Sequence, residues 1–386
     1  MSSLISKLKD KVSHEAAHHS HGATPSHGVA GVAPLGANYN ESLTWLHHDE
    51  LRRVGANWVR GFVDMHQTDN IPPDHDHPNV TALLNAQKAG FKVILSLKWN
   101  YLEHDFPRFG GPDLGAEAEL RRLHHLLPMV MGKVDILVIG NEPFIECKGD
   151  GDDRLNNFYE YLADEVIEFR KSRGLTSTRL FMGALNRLDL PKNRTQAANR
   201  MLDFIKSRPD LEGVDLHLHI PSFDGHKVML DYALSRIRPD QNFLITEFSL
   251  VWHWRQHFND VVSSHYRGKH GLPPDTTVRE VINEAIKNPM PYPQWEDFLT
   301  HEPWYFSRRN FMTNAMKLYR STGRLVVATY GLCPMRERKQ PFPKDGTPWI
   351  LNSVLAPPMV QRNPDGSRHD NYPWAEEFRR LQAECQ

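Results

Sequence analysis

Apolar positions along this chain alternate between two rhythms. Short, largely aliphatic runs occupy 35–40, 57–63, 91–97, 133–141, 179–185, 213–220, 241–248 and 324–330. Between them, apolar residues recur at helical spacing over 46–54, 80–89, 116–131, 155–172, 197–207, 227–237, 308–321 and 374–384. Gly55 and Gly90 follow the first two helical stretches, where a left-handed residue closes a helix. Strands separated by helices pair in parallel, because a parallel neighbour needs a crossover connection. Eight such units predict an α/β fold, a (β/α)8 TIM barrel.

Two stretches break the rhythm. Residues 249–307 follow the seventh strand and are rich in Pro, His and Trp; 331–373 follow the eighth and are rich in Pro. Both exceed an ordinary βα connection. They are expected to be long loops over the face where such barrels build their sites, with a local helix over 278–286. At the other end, 1–33 carries His14, His18, His19, His21 and His27 among Ala, Gly and Ser. That composition buries too little to offset its ordering entropy, so a flexible arm with no catalytic role is expected. Leu4, Ile5, Leu8 and Val12 allow a short amphipathic helix within it. Residues 34–386 are expected to be a single catalytic domain.

Composition narrows the partners. A net charge of −1 leaves no basic stripe for nucleic acid. Cys147, Cys333 and Cys385 are too few for a disulfide framework. No apolar run reaches the ~20 residues of a membrane span. The first residues lack the apolar stretch of a secretory leader, so a cytoplasmic location is the expectation.

The chemistry lies at two strand ends. Asn141-Glu142-Pro143 ends the fourth apolar run, and Thr246-Glu247-Phe248 ends the seventh. Two carboxyls across one pocket are what glycoside hydrolysis requires: one protonates the leaving oxygen, the other attacks the anomeric carbon or activates water. A strand-end cap would explain Glu142 equally well in isolation, and a structural ion pair with Arg60 would explain Glu247. In a barrel frame these readings converge. An adjacent Arg60 keeps a nucleophilic Glu247 ionised, while nearby negative charge and partial burial are expected to raise the pKa of Glu142.

These residues carry a resemblance. Asn141-Glu142-Pro143, Thr246-Glu247-Phe248 and Val59-Arg60 on the second strand resemble the retaining glycoside hydrolases of clan A, a (β/α)8 superfamily. The resemblance implies a retaining β-glycosidase acting on an oligo- or polysaccharide or another β-glycoside. It implies Glu142 as acid/base, Glu247 as nucleophile, Asn141 on the sugar 2-hydroxyl and Arg60 bracing the nucleophile, with no cofactor. The sequence departs from the pattern at two places. Strand six carries His217-x-His219 where His-x-Tyr is usual, and strand eight ends in Tyr330 where a Trp is usual.

His217 and His219, with Asp215, share a strand face. Sugar contact is the favoured role, and a metal-dependent barrel of amidohydrolase type using His217 and His219 is an alternative. A non-catalytic carbohydrate-binding barrel is another. Aromatic faces stack on pyranose rings; Trp99, Trp252 and Tyr330, at strand ends, are the better stacking candidates among Tyr39, Tyr101, Trp254 and Trp304. Asn38 is a candidate hydroxyl binder, followed by His104, Asn186 and Glu302.

Overall fold

The computed structural model describes residues 32–385 apart from 73, 103, 105, 108–114, 148–152 and 336–337. Nearly all of the expected arm, 1–33, lies outside these residues. Each apolar run is a strand: β1 (Leu35–Asn38), β2 (Trp58–Asp64), β3 (Lys92–Lys98) and β4 (Ile136–Ile139). β5 (Arg179–Asn186), β6 (Gly213–His219), β7 (Asn242–Ser249) and β8 (Leu325–Gly331) complete the set. They pair in chain order, all parallel, and β8 closes on β1. The C-terminal ends of all eight strands therefore open on one face.

Ile94, Ile136, Val138, Phe181, Leu244, Val326 and Val327 form one buried cluster, separate from the larger core. They come from β3, β4, β5, β7 and β8. Side chains of β4 and β7 can touch only across the lumen, so this cluster is the apolar fill of the barrel. The larger core lies between strands and helices. The helix Gln196–Ser207 shows why: Ala198, Met201, Leu202 and Ile205 form its buried stripe, and the Thr195 side chain caps the Ala198 amide.

The segment 249–307 departs from expectation. It is a helical insert, with helices Val251–Gln256, Ser264–His270, Val278–Lys287, Tyr292–His301 and Pro303–Phe306. Its prolines punctuate short helices, and Pro293 and Pro303 sit in first turns, where a missing N–H costs nothing. Thr277 and Glu280 make a reciprocal capping box. Trp254, Trp295, Phe298 and Tyr305 are buried; Trp254 and Tyr305 also pack on Trp374 of the last helix, Trp374–Ala383. Beyond Gly331, the described part of 332–373 is irregular apart from one 3-10 turn, Trp349–Leu351, and the isolated bridges Leu355–Asp370 and Val360–Met290. Among the described residues, no helix is long and apolar enough to cross a membrane.

Gly213 opens β6 against Asn242 of β7. A Cβ there would lie 1.7 Å from the Asn242 carbonyl oxygen. Gly213→Ala is expected to lower the unfolding free energy by about 3 kcal/mol, the scale of forced overpacking. Gly268→Ala, in open space within a helix, is expected to be neutral or slightly stabilising. Urea denaturation of both variants checks the pair.

Candidate active site

Arg60 on β2 is the hub of the C-terminal face, and its side chain is 0% exposed. Its Nε donates to Ser96 Oγ on β3 at 3.1 Å. Nη1 donates to Asn38 Oδ1 on β1 at 3.1 Å and to Glu247 Oε1 on β7 at 2.6 Å. Nη2 donates to Asn141 Oδ1, just past β4, at 2.5 Å. Asn141 Nδ2 then donates to Glu146 Oε1 at 2.9 Å.

Glu142 is presented differently. β4 ends at Ile139, and Glu142 adopts a left-handed conformation (φ 45°, ψ 53°) at the start of the short helix Pro143–Glu146. Such a backbone is strained for a residue with a Cβ and is concentrated at functional positions. It leaves the carboxylate 20% exposed. Asn186 Nδ2 donates to Glu142 Oε1 at 3.2 Å, and His217 Nδ1 lies 3.0 Å from the same oxygen.

One imidazole reaches both carboxylates. His217 is fully buried, with Nδ1 on Glu142 and Nε2 3.9 Å from Glu247 Oε1. Its Nε2 also lies 3.0 Å from Thr246 Oγ1, whose hydroxyl donates to Asp215 Oδ2 at 2.5 Å. The threonine proton is thus committed to Asp215, so Nε2–H of His217 donates to Thr246. A single proton then lies between His217 Nδ1 and Glu142 Oε1. His219 Nε2 faces Glu247 Oε2 at 3.4 Å, while its Nδ1 contacts Ser249 Oγ at 2.8 Å. Asn40 Nδ2 donates to Glu247 Oε2 at 3.1 Å.

These contacts set the charges. Burial opposes ionisation of Glu247, but His217, Arg60 and His219 outweigh it and hold the carboxyl well below its usual range. Burial would likewise discharge His217, and Glu247, Glu142 and Asp215 reverse this, raising it above the ordinary histidine value. The raised pKa expected of Glu142 is not found. Burial pushes it up, but the hydrogen bond and charge of His217 pull it below the usual value. The shared proton therefore rests on the imidazole. Burial lifts Glu146 to about 7 even though Lys98 Nζ lies 2.6 Å from its Oε1.

Glu142 and Glu247 open onto one cavity of about 390 Å³, a size suited to a small ligand. Asn40, Asn141, Asn186 and His219 supply polar wall; Trp252 and Trp349 supply aromatic wall, with Phe62 and Ile145 beside them. The rings of Trp349 and His219 meet edge to face at 4.8 Å.

Several expected contacts lie elsewhere. Trp99 is fully buried with its indole N–H on Glu119, and Tyr330 is buried against Phe248 and Trp374. Neither lines the cavity, so neither can stack on a ring bound there. Tyr101 donates to Glu119, and Trp254 donates to Asn352 at 2.8 Å. Trp304 donates to Glu302, whose Oε1 also caps the Ser263 amide; both serve the insert. His104 stacks on His66, away from the cavity wall. Tyr39 is buried and outside the wall, and Asn38 acts on Arg60. Asn40, Glu146, Lys98 and Trp349 were not anticipated. Asn40 ends the first apolar run and carried a readable signal; Trp349 lies in the Pro-rich stretch after the eighth run and carried none.

No family model and no curated protein matches this chain. Solved structures similar to it include a Bacillus subtilis mannanase at 14% identity, covering 84% of each chain with a TM-score of 0.44. A GH10 endoxylanase retrieved from sugarcane soil metagenome is 14% identical, covering 91% of this chain and 97% of that one, with a TM-score of 0.48. An endo-β1,6-glucanase is 12% identical, covering 92% and 76%, with a TM-score of 0.49.

Glu146 gives the site a stability signature. Its native pKa lies above the unfolded carboxylate value, so between about pH 4.5 and 7 the native state holds a proton that the unfolded chain has lost. Native stability therefore falls as pH rises across that window. Glu146→Gln removes this slope. The variant is expected to gain about 1–3 kcal/mol on the native protein between pH 5 and pH 7. Urea midpoints at the two pH values measure it, and a gap independent of pH would refute the assignment.

Proposed function

We propose that this protein is a glycoside hydrolase that cleaves a β-glycosidic bond with retention of anomeric configuration. What carries the reading is the different setting of two carboxylates in one cavity. Glu247 is locked ionised by a buried guanidinium, as a nucleophile must be. Glu142 shares a proton with His217 and is partly exposed, as a proton donor to a bound oxygen must be.

In the first step, Glu247 Oε attacks the anomeric carbon while the glycosidic C–O bond breaks and the leaving oxygen takes, by way of Glu142, the proton that His217 Nδ1 holds. Bond formation cancels the negative charge of Glu247, the largest influence that raises His217. His217 then releases its Nδ1 proton towards Glu142 at the moment the leaving group needs it. In the second step Glu142 accepts a proton from water, which opens the glycosyl ester and returns Glu247 to its ionised state. Arg60 holds Glu247 in place, and Asn141 is positioned to meet the sugar hydroxyl next to the reacting carbon. Trp252 and Trp349 offer faces for neighbouring pyranose rings, and the substrate is an oligo- or polysaccharide or a smaller β-glycoside.

A second reading rests on one observation. Glu142, His217 and His219 each bring a ligand atom within 4.8 Å of the others, a set that suits a divalent ion. Those residues would hold the metal, and it would supply a polarised water. The Arg60 guanidinium, bonded to Glu247 in the same cavity, disfavours a further cation there.

Glu247→Gly is expected to abolish hydrolysis of aryl β-glycosides, with azide restoring turnover to the α-glycosyl azide. Glu142→Ala is expected to cost about 10²–10⁴-fold on substrates with poor leaving groups and far less on activated ones. Turnover by Glu247→Gly without azide would overturn the assignment. Loss of native activity on exhaustive chelation, restored by a divalent metal, would favour the second reading.

A further inference from the structure

We infer that the helical insert carries a transition-metal site, built from His265, His301 and Asp297 and distinct from the cavity. His265 lies on the helix Ser264–His270, and Asp297 and His301 lie four apart on Tyr292–His301. Spacing of four puts both side chains on one helix face, and that face meets His265. His265 Nε2 lies 3.5 Å from Asp297 Oδ1, and His301 Nδ1 lies 3.2 Å from the same oxygen. All three candidate ligand atoms lie within 4.8 Å of one another.

Those separations are close to the edges of a coordination tetrahedron. Metal–donor bonds of about 2.0–2.2 Å put neighbouring donors about 3.3–3.5 Å apart. The carboxylate is 5% exposed, whereas the rings of His265 and His301 are about half exposed. The site thus has a fixed acidic floor and two adjustable imidazoles at the surface. The rings now stack at 3.8 Å between centroids, 13° from parallel. To share an ion they must turn their nitrogens towards the carboxylate, and His301 Nδ1 must leave the Asp297 carbonyl oxygen that it meets at 3.0 Å.

The floor is ready for a cation. Lys269 Nζ and His270 Nε2 each contact a separate oxygen of Asp297, so the carboxylate already serves as an acceptor for cationic or N–H groups. Lys269 Nζ, 2.7 Å from Oδ1, is the present counter-charge. Its side chain is more than half exposed, so its ammonium can return to water when an ion takes its place on the carboxylate. His270 Nε2, 2.8 Å from Oδ2, orients the carboxylate and supplies a further nitrogen. Imidazoles with a single carboxylate select zinc-like ions, including Co²⁺ and Ni²⁺, over Mg²⁺ or Ca²⁺. Such an ion would tie two helices of the insert to each other.

The test uses the full chain and Co²⁺ or Zn²⁺ alone. The full chain carries further histidines, so the quantity read is the difference between native protein and His265→Ala/His301→Ala. Both rings are half exposed, and this variant is expected to fold with the native thermal midpoint when metal is removed. It should lose one equivalent of bound Zn²⁺ per chain, the visible absorption of tetrahedral Co²⁺, and the rise in Tm that Zn²⁺ gives the native protein. Equal stoichiometry and an equal Tm rise in the two proteins would overturn the inference. Should the double variant misfold, His265→Gln alone serves, with tenfold or greater weakening of Zn²⁺ binding as the supporting result and unchanged affinity as the opposing one.

Discussion

One buried ion pair organises this barrel. The Arg60 guanidinium sits without exposure at the top of the lumen and is held by Ser96, Asn38, Asn141 and Glu247. Removing a charge from water costs several kcal/mol, and only close partners with good geometry offset it. Arg60 itself stands on β2, and its partners come from β1, β3 and β7 and from the residues just past β4. The same contacts that neutralise the arginine thus fix the relative heights of five strand ends. Removing either Arg60 or Glu247 would leave the other charge buried alone, a loss of about 3–5 kcal/mol in comparable cases. The site is rigid because the barrel could not be closed around an unsatisfied charge.

A second chain of contacts handles the proton. Asp215, Thr246, His217 and Glu142 form a continuous path from the fully buried lumen to the cavity wall. The buried end is settled, since the threonine hydroxyl points to Asp215 and forces His217 to donate from Nε2. Only the Nδ1–Glu142 contact can exist in two forms. The acidity of Glu142 is therefore not an intrinsic property of its own pocket. Burial and the charge of Glu247 raise its pKa, and the hydrogen bond and charge of the shared imidazole lower it.

Much of this was readable in the chain. A polar residue at the end of a buried apolar run is costly unless it has work to do; that argument marks Asn141, Glu142 and Glu247, and Arg60 follows as the charge partner of Glu247. Strand order followed from the alternation, since β/α units leave few other topologies. Three features were hidden. Trp99 and Tyr330 stand at strand ends, where an aromatic can turn to the cavity or to the surrounding helices, and both turned away from the cavity. The pKa of Glu142 depends on His217, two strands away. The insert looked like loop because its prolines and histidines mask four-residue periodicity in short helices; only Val278, Val281, Ile282 and Ala285 keep a clean stripe.

The division of labour between strands and excursions follows from this. Glu247, Arg60 and the two histidines lie on paired strands, and Glu142 stands one turn beyond one, so their spacing is inherited from barrel geometry. Trp252 and Trp349 come from the two long segments after β7 and β8, one in a helix and one in a 3-10 turn. Changing those segments would reshape the aromatic wall without moving the carboxylates, because no hydrogen bond of the Arg60 hub reaches them. Trp349 meets the charge network at His219, and Phe62 meets it at Arg60, whose guanidinium carbon lies 5.6 Å from the ring centre. A ligand that shifts Trp349 would therefore act on Glu247 through His219, which faces its Oε2 at 3.4 Å.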